Sequence, residues 1–131
     1  MKRKAKSRAW MQEHVADPYV KRAAASGYRS RAAYKLIEMD ERDRLLRHGQ
    51  TVVDLGAAPG SWSQVIAERV RPGGRVSALD IVPMEPVAGV VIVEGDIRAH
   101  AVLASLEQAL EGGKADLVVS TLSVTPDRAK V

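Results

Sequence analysis

The sequence contains no cysteine, which excludes a disulfide framework and a thiolate metal site. It also lacks any apolar run near the ~20 residues that a membrane-spanning helix needs, and no signal-peptide hydrophobic stretch follows the basic residues 1–6. With 131 residues and no internal repeat, the chain is long enough to bury roughly two-thirds of its unfolded surface. We therefore expect one cytoplasmic domain, monomeric, without a metal or a membrane anchor.

Acidic residues are scarce at the start of the chain. Residues 1–50 hold 13 Lys and Arg against 6 Asp and Glu, whereas residues 51–131 hold 7 against 10. A basic segment gains affinity for nucleic acid because its contacts with phosphates release counterions. For the arm over residues 1–9 the alternative is a solvated, disordered tail that aids solubility. The basic cluster from Arg29 to Lys35 lies in a structured stretch and is the better candidate for binding.

Hydrophobic periodicity predicts two helices followed by an α/β sheet. The first helix begins at the pair Asp17-Pro18 and stops at Gly27, and the second begins after a Ser30 cap and ends before Gly49. Short apolar strands then alternate with helices. The predicted strands are Thr51–Leu55, Arg75–Ile81, Val90–Glu94 and Ala115–Ser120, and the predicted helices between them are Ser61–Val70 and His100–Leu110. This alternation indicates an open parallel sheet of Rossmann type with right-handed crossovers.

The last predicted strand is apolar on both faces at Leu117-Val118-Val119, as though neighbouring strands were expected. A doubly wound sheet normally continues beyond this point, and residues 121–131 contain no pattern of a helix or strand. The sequence thus predicts an arm over residues 1–9, part of a domain over residues 10–120 and a divergent tail over residues 121–131. We expect an incomplete sheet, with either a partner covering its edge or a truncated chain.

A glycine-containing turn follows the first strand. It reads Asp-Leu-Gly-Ala-Ala-Pro-Gly-Ser-Trp-Ser-Gln over residues 54–64. Gly56 allows a tight turn, and Gly60 is expected to let a ligand approach the backbone. Ala58 replaces the second glycine of the dinucleotide pattern G-x-G-x-x-G, which argues against a nicotinamide-dependent oxidoreductase.

Three carboxylates follow three consecutive strands. Asp54 is placed to face an ammonium group, Asp80 to accept hydrogen bonds from ribose hydroxyls, and Asp96 to accept from an adenine amino group. This set favours a cationic ligand that bears a ribose, such as S-adenosylmethionine, and would repel the phosphates of a dinucleotide. Each residue also has a structural alternative, since Asp54 could cap the turn and Asp80 and Asp96 could be ordinary turn residues. Trp62 is either a wall of the pocket or part of the core.

These residues lie within a longer pattern that resembles the FtsJ/RlmE family of ribosomal RNA 2′-O-ribose methyltransferases. The resemblance extends from about Trp10 to Ser120, and its most specific part, Ser-Arg-Ala-Ala-Tyr-Lys-Leu at residues 30–36, precedes the glycine-containing turn. The further matching segments are residues 10–14, 17–20, 28–29 and 54–64, with Pro83-Met84 and Gly95-Asp96. The resemblance implies a Rossmann-like fold and S-adenosylmethionine-dependent methylation of a uridine ribose in the RNA of the large ribosomal subunit.

The resemblance also implies roles for particular residues. The family's positions that bind the methyl donor map to Gly60, Trp62, Asp80 and Asp96, and the first lysine of its catalytic Lys-Asp-Lys-Glu set maps to Lys35. The alternative for Lys35 is a solvated helix lysine. The neighbouring Arg29 and Arg31 are expected to hold RNA phosphates, with Tyr28 or Tyr34 stacking on a base.

The chain departs from the family at its catalytic aspartate, whose position holds Thr121. The later strands that carry the second lysine and the glutamate are absent from the sequence. Loss of a positioned base costs roughly 10²–10⁴-fold in rate. We therefore weigh an active methyltransferase against a truncated remnant that binds RNA, and the methyl donor, without turnover.

Overall fold

A computed structural model describes residues 18–121. The predicted arm over residues 1–9, the Asp17 cap and residues 122–131 of the tail lie outside these residues. The helices are α1 (Pro18–Ser26), α2 (Ala32–Asp43), α3 (Ser61–Val70) and α4 (His100–Ala109), and the strands are β1 (Thr51–Leu55), β2 (Arg75–Asp80), β3 (Val90–Glu94) and β4 (Leu117–Ser120).

The described strands form one parallel sheet in the order β3-β2-β1-β4. Leu55 is in register with Leu79 on one side and with Ser120 on the other, and Asp80 is in register with Glu94. The α/β fold and the parallel pairing predicted from the sequence are confirmed. Because all four strands point the same way and end nearly level, the residues that follow them meet at one edge of the sheet.

Both faces of the sheet are packed by helices. On one face α3 lies against the strands with α2 behind it, and the core there includes Val52, Val65 and Leu36. On the other face α4 covers β2 and β3, and Leu106 packs against Val53 and Leu79. The α4 side of β4 is less covered, since Val118 is 55% exposed. No helix between residues 18 and 121 is long and apolar enough to cross a membrane.

The second helix is shorter than predicted. It ends at Asp43, because Arg44 takes a left-handed conformation with φ 52° and donates its N–H to the Asp40 carbonyl at 2.7 Å. The Asp40 carboxylate accepts the Leu46 N–H at 2.7 Å, so Leu46 reaches the core from a loop. The extension of the helix to the residues before Gly49 was wrong, because apolar spacing alone does not separate a helix from a capped loop that packs on the same face.

Candidate functional site

The turn after β1, which we call the glycine turn (residues 56–60), is fixed between the neighbouring strands. Gly56 has φ +73° and donates its N–H to the Leu79 carbonyl at 2.8 Å. Its carbonyl accepts the Thr121 hydroxyl at 2.6 Å. The turn is thus bonded both to the end of β2 and to the residue that follows β4, so its position is set by the sheet.

Asp80 ends β2 beside this turn. One carboxylate oxygen accepts the Ala58 N–H at 2.9 Å, and the other accepts the Val82 N–H at 2.9 Å. An ionised carboxylate offers about four lone-pair positions, so these bonds leave capacity for further donors such as hydroxyl groups. Asp80 lies where the sequence placed it, and its contact with a ribose stays a prediction.

Asp96 follows β3 and lies near Asp80 along the sheet edge, since the intervening Gly95 donates its N–H to the Asp80 carbonyl at 2.9 Å. The Arg98 guanidinium pairs with both carboxylate oxygens of Asp96, with a shortest distance of 2.6 Å from Nη2 to Oδ2. The Arg98 side chain and backbone hydrogen bonds lower the pKa of Asp96 to about 2. Asp96 is therefore an ionised acceptor that already pairs with Arg98, and its contact with an adenine amino group stays a prediction.

Asp54 is buried beneath the glycine turn, with none of its surface exposed. The Ser63 hydroxyl donates to Oδ2 at 2.7 Å, and Oδ1 has no partner among the described residues. Burial raises the pKa of Asp54 to about 6, because desolvation outweighs the Ser63 hydrogen bond. The expectation that Asp54 faces an ammonium group is corrected: the carboxylate presents no surface to a ligand and instead holds the first turn of α3.

The Trp62 side chain belongs to the core, because it is 8% exposed and packs within the cluster between α3 and the sheet. Its indole N–H donates to the Ala32 carbonyl at 2.8 Å. The structure thus favours the core alternative for the indole, and a contact of Trp62 with the methyl donor stays a prediction. The Trp62 backbone lies in the first turn of α3.

A side chain at position 60 would be strained by the backbone conformation and would meet neighbouring side chains. The φ of Gly60 is +111°, and a Cβ there would lie 2.8 Å from Met84 Cε and 2.9 Å from Arg29 Nη1. Both atoms are the ends of flexible side chains, which would have to move to admit the Cβ, whereas the positive φ strains any side chain at this position. On this side of Gly60 the chain's own side chains fill the space, and the approach of a ligand to its backbone stays a prediction.

Arg29 is committed to backbone carbonyls. Its guanidinium donates to the carbonyls of Pro59 at 2.9 Å, Glu85 at 2.6 Å and Pro86. An RNA phosphate would have to compete with these acceptors for the guanidinium, and phosphate binding by Arg29 stays a prediction. No sequence signal indicated this role, since the three acceptors lie 30, 56 and 57 positions away.

A second group of predicted residues lies on the outer side of α1 and α2. We call it the helical cleft, an open depression of about 460 Å³ lined by Tyr19, Arg31, Ala32, Tyr34, Lys35 and Glu38. The Arg31 guanidinium carbon lies 5.4 Å from the centre of the Tyr19 ring, and Lys35 is exposed. The structure thus brings Lys35 and Arg31 together, away from the contacts that hold Arg29.

The two tyrosines expected to stack on a base pack against each other. Tyr34 is 7% exposed, and Tyr28 packs edge-on against it with ring centroids 5.8 Å apart. The Tyr28 hydroxyl donates to Glu68 at 3.3 Å. Stacking needs an open ring face, which makes the buried Tyr34 the poorer candidate of the two, and stacking on Tyr28 stays a prediction.

Between residues 18 and 121, no three His, Asp or Glu side chains come together as a group that could hold a metal ion. The polar groups at the sheet edge are instead Asp80, Asp96 and the backbone of the glycine turn. We call this group the strand-end site (residues 56–60, Asp80 and Asp96).

The model of the family described as FtsJ-like methyltransferase matches residues 28–129, which include the whole strand-end site. The chain belongs to this family. The match covers most of the chain, and the family name confirms the resemblance drawn from the segments at residues 30–36 and 54–64. The matched range contains all four described strands, so it also agrees with the open α/β sheet.

Relatives of the family are similar over nearly the whole chain. The ribosomal RNA large subunit methyltransferase E of Azoarcus sp. (strain BH72) is 62% identical over 123 residues, which are 94% of this chain and 60% of the relative. The protein of the same name from Methylobacillus flagellatus is 53% identical over 94% of this chain and 59% of the relative. The chain therefore spans about 60% of the length of the curated relatives that it matches.

A solved structure shows the same fold. A crystal structure described as a ribosomal RNA methyltransferase from Plasmodium falciparum is 35% identical with a TM-score of 0.68. The match covers 75% of this chain and 58% of that one. The order and direction of the strands found here are thus those of a Rossmann-like methyltransferase fold.

Proposed function

We propose that this chain binds S-adenosylmethionine at the strand-end site and carries the donor-binding part of a methyltransferase that modifies a uridine ribose 2′-hydroxyl in large-subunit ribosomal RNA. The observation that carries the proposal is the placement of Asp80 and Asp96 after adjacent parallel strands beside the glycine turn. Family membership and the names of the relatives support it. The function requires contact with ribosomal RNA, and the cytoplasm is the proposed location.

The residues fit the chemistry of this ligand. Its ribose hydroxyls and adenine amino group are hydrogen-bond donors, and Asp80 and Asp96 offer acceptors. Its sulfonium is cationic and suits a carboxylate-bearing edge, which would repel a pyrophosphate. The first N–H groups of α3, which lack partners within the helix, favour the carboxylate of its amino-acid part.

When bound, the ligand supplies an activated methyl group. The contribution of the chain is alignment, because an in-line transfer depends on the orientation of the two reacting atoms. Asp80 would hold the ribose and Asp96 the adenine, while the glycine turn fixes the depth at which the ligand lies. In the helical cleft, Arg31 would hold an RNA phosphate and Lys35 would accept the proton of the attacking hydroxyl, the role that the family resemblance gives it.

Thr121 favours a second candidate function, the binding of RNA and methyl donor without turnover. It occupies the position where the family resemblance expects a catalytic aspartate, and its hydroxyl donates to the Gly56 carbonyl at 2.6 Å. A neutral hydroxyl committed to this bond does not supply the negative charge that would orient a lysine base. Binding and turnover therefore need separate measurements.

Two measurements on the purified chain test these functions. Calorimetry measures its affinity for S-adenosylmethionine, with NAD as a comparison ligand, and labelled donor measures methyl transfer to large ribosomal subunits that lack the modification. Binding of the donor but not of NAD, with transfer, supports the methyltransferase. Binding without transfer supports the second candidate, and failure of the donor to bind defeats both proposals for the strand-end site.

A further inference from the structure

The loop between α1 and α2 is fastened to the start of α3. The Arg29 N–H donates to Gln64 Oε1 at 2.9 Å, and Gln64 Nε2 donates back to the Gly27 carbonyl at 3.0 Å. The hydroxyls of Ser30 and Ser61 share a hydrogen bond at 2.8 Å. These contacts fix the backbone from which the Arg29 side chain extends.

From this anchored position, the Arg29 guanidinium joins two other loops. Nη1 donates both to Pro59, in the glycine turn, and to Glu85, in the loop after β2, while Nη2 donates to Pro86 in the same loop. The two loops follow the neighbouring strands β1 and β2, and Asp80 is the last residue of β2. A guanidinium is suited to this arrangement, because its planar fork presents several N–H donors in fixed directions, whereas an ammonium is a single point of donation.

The packing at Gly60 indicates that the junction is tight as well as hydrogen-bonded. The position of a Cβ on Gly60 lies within 3.2 Å of atoms from Arg29, Met84 and Val87. The glycine turn and the loop after β2 are therefore held at van der Waals contact, with the guanidinium filling the space between them. A small change at this junction would alter the spacing of the groups around Asp80.

We propose that Arg29 is a positioning residue for the methyl-donor site, setting the spacing between the glycine turn and the loop after β2. The inference rests on the proposed binding of S-adenosylmethionine at the strand-end site. Arg29 acts through the loops and not by touching the ligand. Without it the two loops sample more arrangements, and ordering them at the moment of binding weakens the affinity for the donor.

The test compares Arg29→Ala and Arg29→Lys with the unmodified chain by calorimetry with S-adenosylmethionine, alongside thermal melts. The expected result is a donor affinity at least roughly tenfold weaker in both variants, an ordering cost of about 1.4 kcal/mol. Lysine keeps the charge but cannot bridge both loops, so it is not expected to restore binding. Guanidinium ion at low millimolar concentration is expected to recover part of the affinity of Arg29→Ala, because it can occupy the vacated space.

Two controls separate positioning from general effects. Arg42→Ala removes an exposed arginine at the far end of α2 and matches the change in charge. Gly49→Ala lowers stability through its φ of +84°, with open space around the added Cβ, and lies between α2 and β1. Both are expected to keep the donor affinity of the unmodified chain.

The outcomes distinguish this inference from the proposed function. If the unmodified chain does not bind the donor, the strand-end site itself is wrong. If it binds and Arg29→Lys binds equally well, the positioning role is overturned. An equal loss of affinity in Gly49→Ala at a matched loss of melting temperature also overturns it, because the effect would then be one of stability. Should Arg29→Ala fail to fold, Arg29→Lys decides the question.

Discussion

The strand-end site and the helical cleft are built in opposite ways. At the strand-end site, Asp80 and the glycine turn are tied by hydrogen bonds between residues far apart in sequence, over the buried carboxylate of Asp54. In the helical cleft, Lys35 and Glu38 are exposed side chains on one helix. The first site is therefore held in place by the fold itself. The second is a charged surface that a nucleic acid would organise further.

Substitution of Gly60 is expected to have the largest effect. Gly60→Ala adds a Cβ under 3.0 Å from the side-chain ends of Met84 and Arg29, so the Arg29 guanidinium must leave its place between the two loops. The residue also has φ +111°, and a left-handed conformation costs a side chain roughly 1–2 kcal/mol. Calorimetry should show a loss of donor affinity of roughly 100-fold, together with a lower melting temperature. Gly49→Ala, with a positive φ and open space, is the control for strain without the clash. Equal affinities in the two variants would show that the junction at Gly60 does not preorganise the site.

The next effect in size is expected at Asp80. Asp80→Asn removes the negative charge and one acceptor for the N–H groups of Ala58 and Val82, so donor affinity should fall roughly 10- to 100-fold. Glu94→Gln is the matched control, because Glu94 is in register with Asp80 on the adjacent strand and is exposed. Equal losses in both variants would mean that the general charge of the sheet edge, and not Asp80 itself, determines binding.

Asp54 offers a test through pH. Its folded pKa of about 6 lies above the unfolded value of about 3.9. Between pH 4 and pH 6 the Asp54 carboxyl is therefore mostly protonated in the folded chain and mostly ionised in the unfolded chain. The contribution of Asp54 to the free energy of unfolding is therefore largest below pH 4 and is lost as the pH rises through 6. As the pH rises from 4 to 7, the free energy of unfolding of Asp54→Asn should increase by on the order of 2 kcal/mol relative to that of the unmodified chain.

Denaturant titrations of both chains across this pH range measure that difference directly. Ser63→Ala serves as the companion variant, since it removes the hydrogen bond to Asp54 Oδ2 and should raise the pKa of Asp54 further. A stability difference between Asp54→Asn and the unmodified chain that stays constant with pH would show that Asp54 titrates like an exposed carboxylate.

The smallest expected effect on the fold comes from the helical cleft. Arg31→Glu reverses an exposed charge beside Lys35, so stability should change by no more than about 0.5 kcal/mol. RNA affinity should fall roughly three- to tenfold, with a shallower dependence on salt, because a phosphate contact is lost. The RNA affinity is measured at several salt concentrations, and the donor affinity is measured by calorimetry. A loss of donor affinity equal to that of RNA affinity would contradict the separation of the two sites.

Local patterns were sufficient for much of the fold. β1 and α3 lie where predicted, because a buried strand and an amphipathic helix leave their periodicity in adjacent residues. Asp80 and Asp96 could be placed at one edge of the sheet, because parallel strands bring their carboxyl ends together. The end of α2 at Asp43 could not be predicted, because it depends on the carboxylate of Asp40 accepting the N–H of Leu46.

The class of fold, the family and the strand ends at which the carboxylates lie could be predicted from the sequence, because each of these depends on spacing along the chain. The exposure of each candidate side chain was set by the tertiary packing. The side chains of Asp54 and Trp62 are buried, and the Arg29 guanidinium donates hydrogen bonds to carbonyls of two distant loops. Exposure and hydrogen-bond partners depend on three-dimensional packing. Arg29, for example, is separated from its carbonyl acceptors by 30 to 57 positions along the chain.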